Sequence, residues 1–465
     1  MQVLLPRLLR CSIANTRAAL GLAAFVLCIV VPANALSETP VQEAAGKLTS
    51  GALWAARVPT PWNGTVLLYS HGYALTIKTP ELAPPGLESW LLDHGYALAA
   101  SSYSKPGWAL AEAVPDQLAT LESFAQHFGE PKRTIAWGNS MGGLVTVALA
   151  EHHPKRIDGA LPSCGSIAGS LAMMNLALDG AFAFTTLIAP DSGIAVVRTG
   201  DDRVNAERAR VSVEGAVRSP AGRARLALAA TLAQMPSWTD PGTPEPGADE
   251  AEAQLDQMAR SFVAGVFLPR ADQEQRAGGV FSWNTGINYR QQLERSGRRG
   301  WVEYFYKKAG LSLDQDLTTL AGARRITADP AAVDYMRAHY APTGELAVPM
   351  LSYHTLGDGM TVPAMQSAYR QAVTQAGTTA LFRAAWVHGA GHCAFQPAEH
   401  IGALQTLESR LNSGQWSVAP TDLNARAASS ALGMGRFVDY EAPNFLRPCS
   451  ASQQRCEGQP SQTKP

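Results

Sequence analysis

Ser140 stands in Gly138-Asn139-Ser140-Met141-Gly142, with a glycine two residues away on either side. So short a pattern arises by chance, and its weight comes from lying between an apolar run and a small-residue helical stretch. A serine at a sharp strand-to-helix turn takes a strained backbone and tolerates no bulk beside it. Its hydroxyl points away from the sheet, with a helix N-terminus nearby to meet a developing anion. A serine that only caps the helix is the plainer alternative. A hydroxyl is a weak nucleophile until a base takes its proton, and that base needs a third group to orient it. Asp358, in Thr355-Leu356-Gly357-Asp358-Gly359-Met360, and His392, in His388-Gly389-Ala390-Gly391-His392-Cys393, each follow a late strand pattern. The chain order is serine, acid, histidine. His388 is the rival base but sits against a strand end, whereas glycines give His392 freedom. Asp329 and Asp334 precede the strand and are weaker candidates for the acid, and His71 and His354 read as structural. An oxyanion needs two N–H donors, assigned to the backbone of Met141 and of Tyr73. The latter lies in Ser70-His71-Gly72-Tyr73, where Gly72 permits close approach and the Tyr73 ring forms a pocket wall.

Three residues so far apart in sequence can meet only where strand ends converge. Strand patterns fall at Ala52 to Val58, Thr65 to Tyr69, Tyr96 to Ala100, Arg133 to Trp137 and Ile157 to Leu161. Helical patterns fall at Leu87 to His94, Asp116 to Phe128 and Gly142 to His152. The succession predicts a mostly parallel sheet with helices on both faces. From about Ile167 to Tyr340 the pattern turns helical, interrupted by a Pro- and Gly-rich loop from Pro236 to Asp249. Alternation then resumes, with strands at Val348 to Thr355 and Ala380 to Val387 and helices at Ala364 to Ala376 and Pro397 to Leu411. The expected organisation is α/β core over 36–165 and 341–412, a helical cap over 166–340, and a tail over 413–465.

The 465 residues carry 38 Lys+Arg against 39 Asp+Glu and are 46% hydrophobic. Such a balance excludes a disordered chain and a nucleic-acid coat. Arg7, Arg10 and Arg17 precede an apolar run from Ala18 to Val31 and then Ala33-Asn34-Ala35, the order of a secretory signal over 1–35. The run is about 14 residues where spanning a bilayer takes ~20, and no later stretch reads as long enough, so no stable membrane anchor is expected. Removing the segment takes the formal charge from −1 to −4. The chain is then expected to be secreted or periplasmic. Four cysteines remain in an oxidising compartment. The close pair Cys449 and Cys456 most economically bond to each other, which leaves Cys164 with Cys393. No Cys-x-x-Cys or His-Glu-x-x-His spacing implies a metal, and no cofactor is implied.

The chain resembles the α/β-hydrolase superfamily over about 50–165 and 341–412, on His71-Gly72, Gly138 to Gly142, Asp358 and His392 in order. The resemblance implies an eight-stranded sheet and an acyl-serine mechanism. Gly391-His392-Cys393 is similar to the tannase and feruloyl esterase group, where a disulfide joins the neighbours of the nucleophile and the base. Here Asn139 precedes Ser140, so that link is absent, and a bridge between Cys164 and Cys393 would brace His392 from another strand end. The aromatic residues Trp238, Phe281, Trp283, Tyr289, Trp301, Tyr304, Phe305 and Tyr306 are candidates to line an acyl or aryl pocket, or to form the core of the cap. The expected activity is hydrolysis of an uncharged carboxylic ester, small or polymeric. The alternatives are a prolyl or tripeptidyl aminopeptidase, with a carboxylate such as Glu303 anchoring the peptide N-terminus, and a catalytically silent binding protein on the same fold.

Overall fold

The computed structural model describes residues 39–77, 79–449 and 456–459. The expected signal segment, 1–35, lies outside the described residues. From Thr39 on, the described residues form one compact unit. Its centre is a sheet of β1 (Val41–Lys47), β2 (Leu53–Pro59), β3 (Thr65–Ser70), β4 (Ala97–Ser101), β5 (Arg133–Asn139), β6 (Gly159–Ser163), β7 (Met350–Gly357), β8 (Phe382–Ala390) and β9 (Phe437–Val438). The order is β1-β2-β4-β3-β5-β6-β7-β8-β9. The pairs from β4 through β8 are parallel, and β1, β2 and β9 run antiparallel to their neighbours.

The sheet thus has nine strands rather than the eight implied. β1, Val-Gln-Glu-Ala-Ala-Gly-Lys, is a largely exposed edge strand with almost no apolar alternation, so hydrophobic patterning passes over it. β9 is a two-residue addition to the opposite edge, contributed by the tail.

β3 is buried at every position and β5 at all but its ends, as a strand covered on both faces must be. Helices α1 (Glu88–Asp93), α2 (Leu110–Phe128) and α3 (Met141–His152) connect the first strands. α2 begins six residues before the expected Asp116, and Pro115 lies inside the helix. Nine helices separate β6 from β7: α4 (Ser170–Leu187), α5 (Asp202–Ala216), α6 (Pro220–Leu232), α7 (Ala251–Val266), α8 (Ala271–Ala277), α9 (Tyr289–Arg295), α10 (Arg299–Ala309), α11 (Leu313–Gly322) and α12 (Pro330–Ala338). Then come α13 (Ala364–Gln375), α14 (Pro397–Ser413) and α15 (Pro420–Ser429). α15 falls in the tail and packs on α14.

One apolar core fills the space between the sheet, α2, α3 and the nine-helix insertion. A second lies on the opposite face, under α1, α14 and α15. α4 is buried along nearly its whole length and mostly apolar. Among the described residues it is the one helix long and apolar enough to cross a membrane, contrary to the reading that no later stretch qualifies. Of its residues 89% are buried inside the protein, which is the condition of a core helix.

Candidate active site

β5 runs straight into α3, and Ser140 is the residue between them, with φ 57° and ψ −122°. A non-glycine residue held there stores backbone strain. The surroundings enforce it through the two glycines. A Cβ on Gly138 would lie 2.3 Å from the Gly142 carbonyl oxygen, and one on Gly142 would lie 2.0 Å from the Ser70 carbonyl oxygen. The Met141 N–H, first in α3, has no helical acceptor one turn back and is left for another oxygen.

His392 follows β8 on a short loop entered through Gly391, at φ 93°. The Gly391 N–H donates to the Gly357 carbonyl at 3.0 Å, and the Thr355 hydroxyl donates to the Gly391 carbonyl at 3.0 Å. These bonds tie the histidine loop to the end of β7. His392 Nε2 lies 2.9 Å from Ser140 Oγ, and its Nδ1 lies 2.7 Å from Asp358 Oδ2. With Nδ1–H donating to the carboxylate, Nε2 is free to accept the serine proton.

Asp358 is fully buried. Its Oδ1 accepts from the backbone N–H groups of Met360 and Thr361, at 2.8 and 2.9 Å. Burial by itself would raise the carboxyl pKa, but the nearby His392 and the hydrogen bonds outweigh it and hold the pKa below the ordinary value. Burial likewise opposes charge on His392, and the facing Asp358 carboxylate wins, raising the imidazole pKa. The pair is built to favour imidazolium next to carboxylate.

Thr361 was missed by sequence reasoning. Its Oγ1 sits 2.8 Å from Asp358 Oδ2, 3.2 Å from His392 Nδ1 and 2.9 Å from the Cys164 carbonyl oxygen. The available signal was a hydroxyl three residues after an acid in a glycine-containing turn. Behind it, fully buried His354 donates from Nε2 to the Thr361 carbonyl at 2.6 Å. Burial lowers the His354 pKa, so this ring stays neutral and supports the turn.

The other predicted residues separate clearly. His388, the rival base, lies 2.8 Å from Glu245 at the surface. His71 turns both ring nitrogens to carbonyls, of Gly72 at 2.7 Å and Ser102 at 3.3 Å, and stacks on Tyr103. A Cβ on Gly72 would come within 3.3 Å of Ser140 Cβ. That approach carries the backbone of Tyr73 past Ser140, while the half-buried Tyr73 ring faces Trp108. Cys164 and Cys393 are disulfide-bonded with Cα atoms 5.3 Å apart, linking the end of β6 to the neighbour of His392; Cys449 and Cys456 form the second bridge. Asn139, where the tannase-like pattern has cysteine, instead accepts a hydrogen bond from Ser163.

The aromatic residues of the insertion mostly make its core. Phe281, Trp283, Tyr289, Phe305 and Tyr306 are buried, Trp301 lies beneath Arg298, and Tyr304 is exposed. The loops that carry Asp358 and His392 are instead approached by the 236–249 loop. A Cβ on Gly391 would touch Pro241 at 3.3 Å, and one on Gly357 would strike the Trp238 carbonyl oxygen at 2.1 Å. Glu303 pairs with Arg299 at the surface.

An o-phthalyl amidase from Xanthobacter agilis is 29% identical over 441 residues, covering 87% of this chain and 96% of the relative. Feruloyl esterase B from Aspergillus oryzae is 13% identical, with a TM-score of 0.39 and coverage of 81% of this chain and 82% of that one. An acylaminoacyl peptidase from Pyrococcus horikoshii is 10% identical, with a TM-score of 0.37 and coverage of 80% and 42%. No family model matches the chain. The strand order with its antiparallel second strand, and the turn between β5 and α3 at Ser140, make this an α/β-hydrolase-fold protein.

Proposed function

We propose that this hydrolase cleaves carboxylic acid derivatives through an acyl-serine intermediate. The observation that carries the reading is the unbroken hydrogen-bonded line from Ser140 Oγ through His392 to Asp358. Ser140 Oγ attacks the carbonyl carbon as its proton passes to His392 Nε2, and Asp358 stabilises the imidazolium. The carbonyl oxygen, now an anion, takes the backbone N–H groups of Met141 and Tyr73, each such donor worth about 3 kcal/mol of barrier. His392 returns the proton to the leaving oxygen or nitrogen, and water repeats the sequence on the acyl-enzyme to release the acid.

The relative that matches almost end to end is an amidase, and this favours amides of aromatic acids as a second substrate class beside the uncharged esters. The two bridges fit an oxidising compartment, and we place the working protein in the periplasm or outside the cell. Turnover should be measured on aryl esters, aryl-acyl amides and aminoacyl anilides, beside a Ser140→Ala control and labelling with a fluorophosphonate. Labelling at Ser140 and a loss of about 10⁴-fold or more in the control are expected. A wild-type protein that neither labels nor turns over any of the three would instead be a silent binding protein.

A further inference from the structure

Behind the loop that carries Asp358 lies a cavity of about 360 Å³, enclosed by the ends of α6, α10 and β7, the 236–249 loop and the tail. Its lining includes Thr231, Trp238, Arg298, Leu356 and Tyr440, and does not include Ser140. The volume is that of a small-molecule site.

The polar groups in this wall are unequally employed. The Arg298 guanidinium rests over the Trp301 ring at 4.5 Å and donates one hydrogen bond, to the Met235 carbonyl at 3.2 Å. Among the described residues no carboxylate stands within ion-pair distance of it, whereas neighbouring Arg299 holds three. Burial pushes the Arg298 pKa down to about 10, so the group is still a cation at neutral pH. Arg298 is part-buried, and a cation withdrawn from much of its water with no carboxylate beside it is costly. The two acids in the same wall do not answer it: Glu245 is engaged by His388 at 2.8 Å, and Glu441 faces solvent.

We propose that this cavity binds a small organic monocarboxylate. The Arg298 guanidinium takes the carboxylate through its paired N–H groups, and the rings of Trp238 and Tyr440 hold the apolar body. With Glu245 turned to His388 and Glu441 to solvent, Arg298 is the single charge left for a ligand, which suits one negative charge better than the two of phosphate. Leu356 lines the cavity and precedes Asp358 by two residues, so the bound acid lies against the back of that loop and not on the nucleophile.

The test is titration of the oxidised, processed protein with benzoate, read by calorimetry and by Trp238 fluorescence. Benzamide and inorganic phosphate are the comparison ligands. Saturable benzoate binding is expected, with benzamide about tenfold weaker or worse and phosphate unable to compete. Arg298→Gln should weaken benzoate by about tenfold or more while leaving turnover unchanged. Ser237→Phe, which fills the cavity with Arg298 in place, should abolish binding and stands in if the arginine variant fails to fold. Absence of saturable binding overturns the proposal. So does binding that survives Ser237→Phe, which would lie at another site such as the catalytic centre, or competition by phosphate. None of these readouts requires Ser140 to be a nucleophile.

Discussion

A methyl group added at Gly142 would lie 2.0 Å from a backbone oxygen, whereas one added at Gly300 or Gly322 in the helical insertion meets nothing within 4 Å. The two regions are held by different kinds of contact. At the sheet ends backbone lies against backbone, and the position of Ser140 is set by where glycine alone fits. In the insertion most contacts set side chain against side chain, Gly222 and Gly265 excepted, and its order depends on aromatic clusters and on buried ion pairs, Arg270 with Glu274 and Asp179 with Arg447 of the tail. The first kind admits almost no substitution and keeps reacting atoms in line. The second can be repacked, so a chain of this fold can change its insertion while keeping its chemistry.

Four substitutions probe that contrast, in falling order of effect. Asp358→Asn should lower kcat by about 10⁴-fold with the fold intact. Its pH profile gives an independent reading. His392 acts as a base only when neutral, so the rate rises with pH through its pKa, which the carboxylate holds above the usual value of about 6.5. Loss of that negative charge should move the acid limb of the variant to lower pH. If the limb does not move, the carboxylate is not what sets the basicity. Arg447→Met strands a buried carboxylate and should cost about 3–5 kcal/mol in denaturant unfolding, with kcat/KM of the remaining folded enzyme unchanged; a large loss of kcat would show the two regions to be coupled. Thr361→Val removes one donor beside Asp358 and should cost about tenfold in kcat/KM, as a single hydrogen bond to a charged group does. Gly300→Ala, in the open first turn of α10, should raise stability by about 0.4–1 kcal/mol in thermal or denaturant melts and leave kinetics alone.

The same contrast explains what could be read from the residues alone. Ser140, Asp358 and His392 were legible because strand-end geometry restricts both their spacing and their flanking glycines. The bonding of Cys164 to Cys393 followed from the shortness of the 449–456 interval. Thr361 was hidden because its place beside both partners exists only once the Asp358 turn has folded back toward β6. β1 was hidden because an exposed edge strand needs no apolar alternation, and the start of α2 because Pro115 imitates a helix boundary. The aromatic residues of the insertion announced burial but not what they would be buried against, and most pack on one another rather than over Ser140.

The Cys164–Cys393 bridge closes a ring of the chain 229 positions long that contains the whole insertion. A protease that cuts anywhere inside that ring, the proline-rich 236–249 stretch included, therefore leaves the nucleophile-bearing and base-bearing segments in one covalent molecule. Nicked protein would migrate as a single species until a reductant divides it in two. A single cut in the insertion would thus part neither Ser140 nor His392 from the molecule.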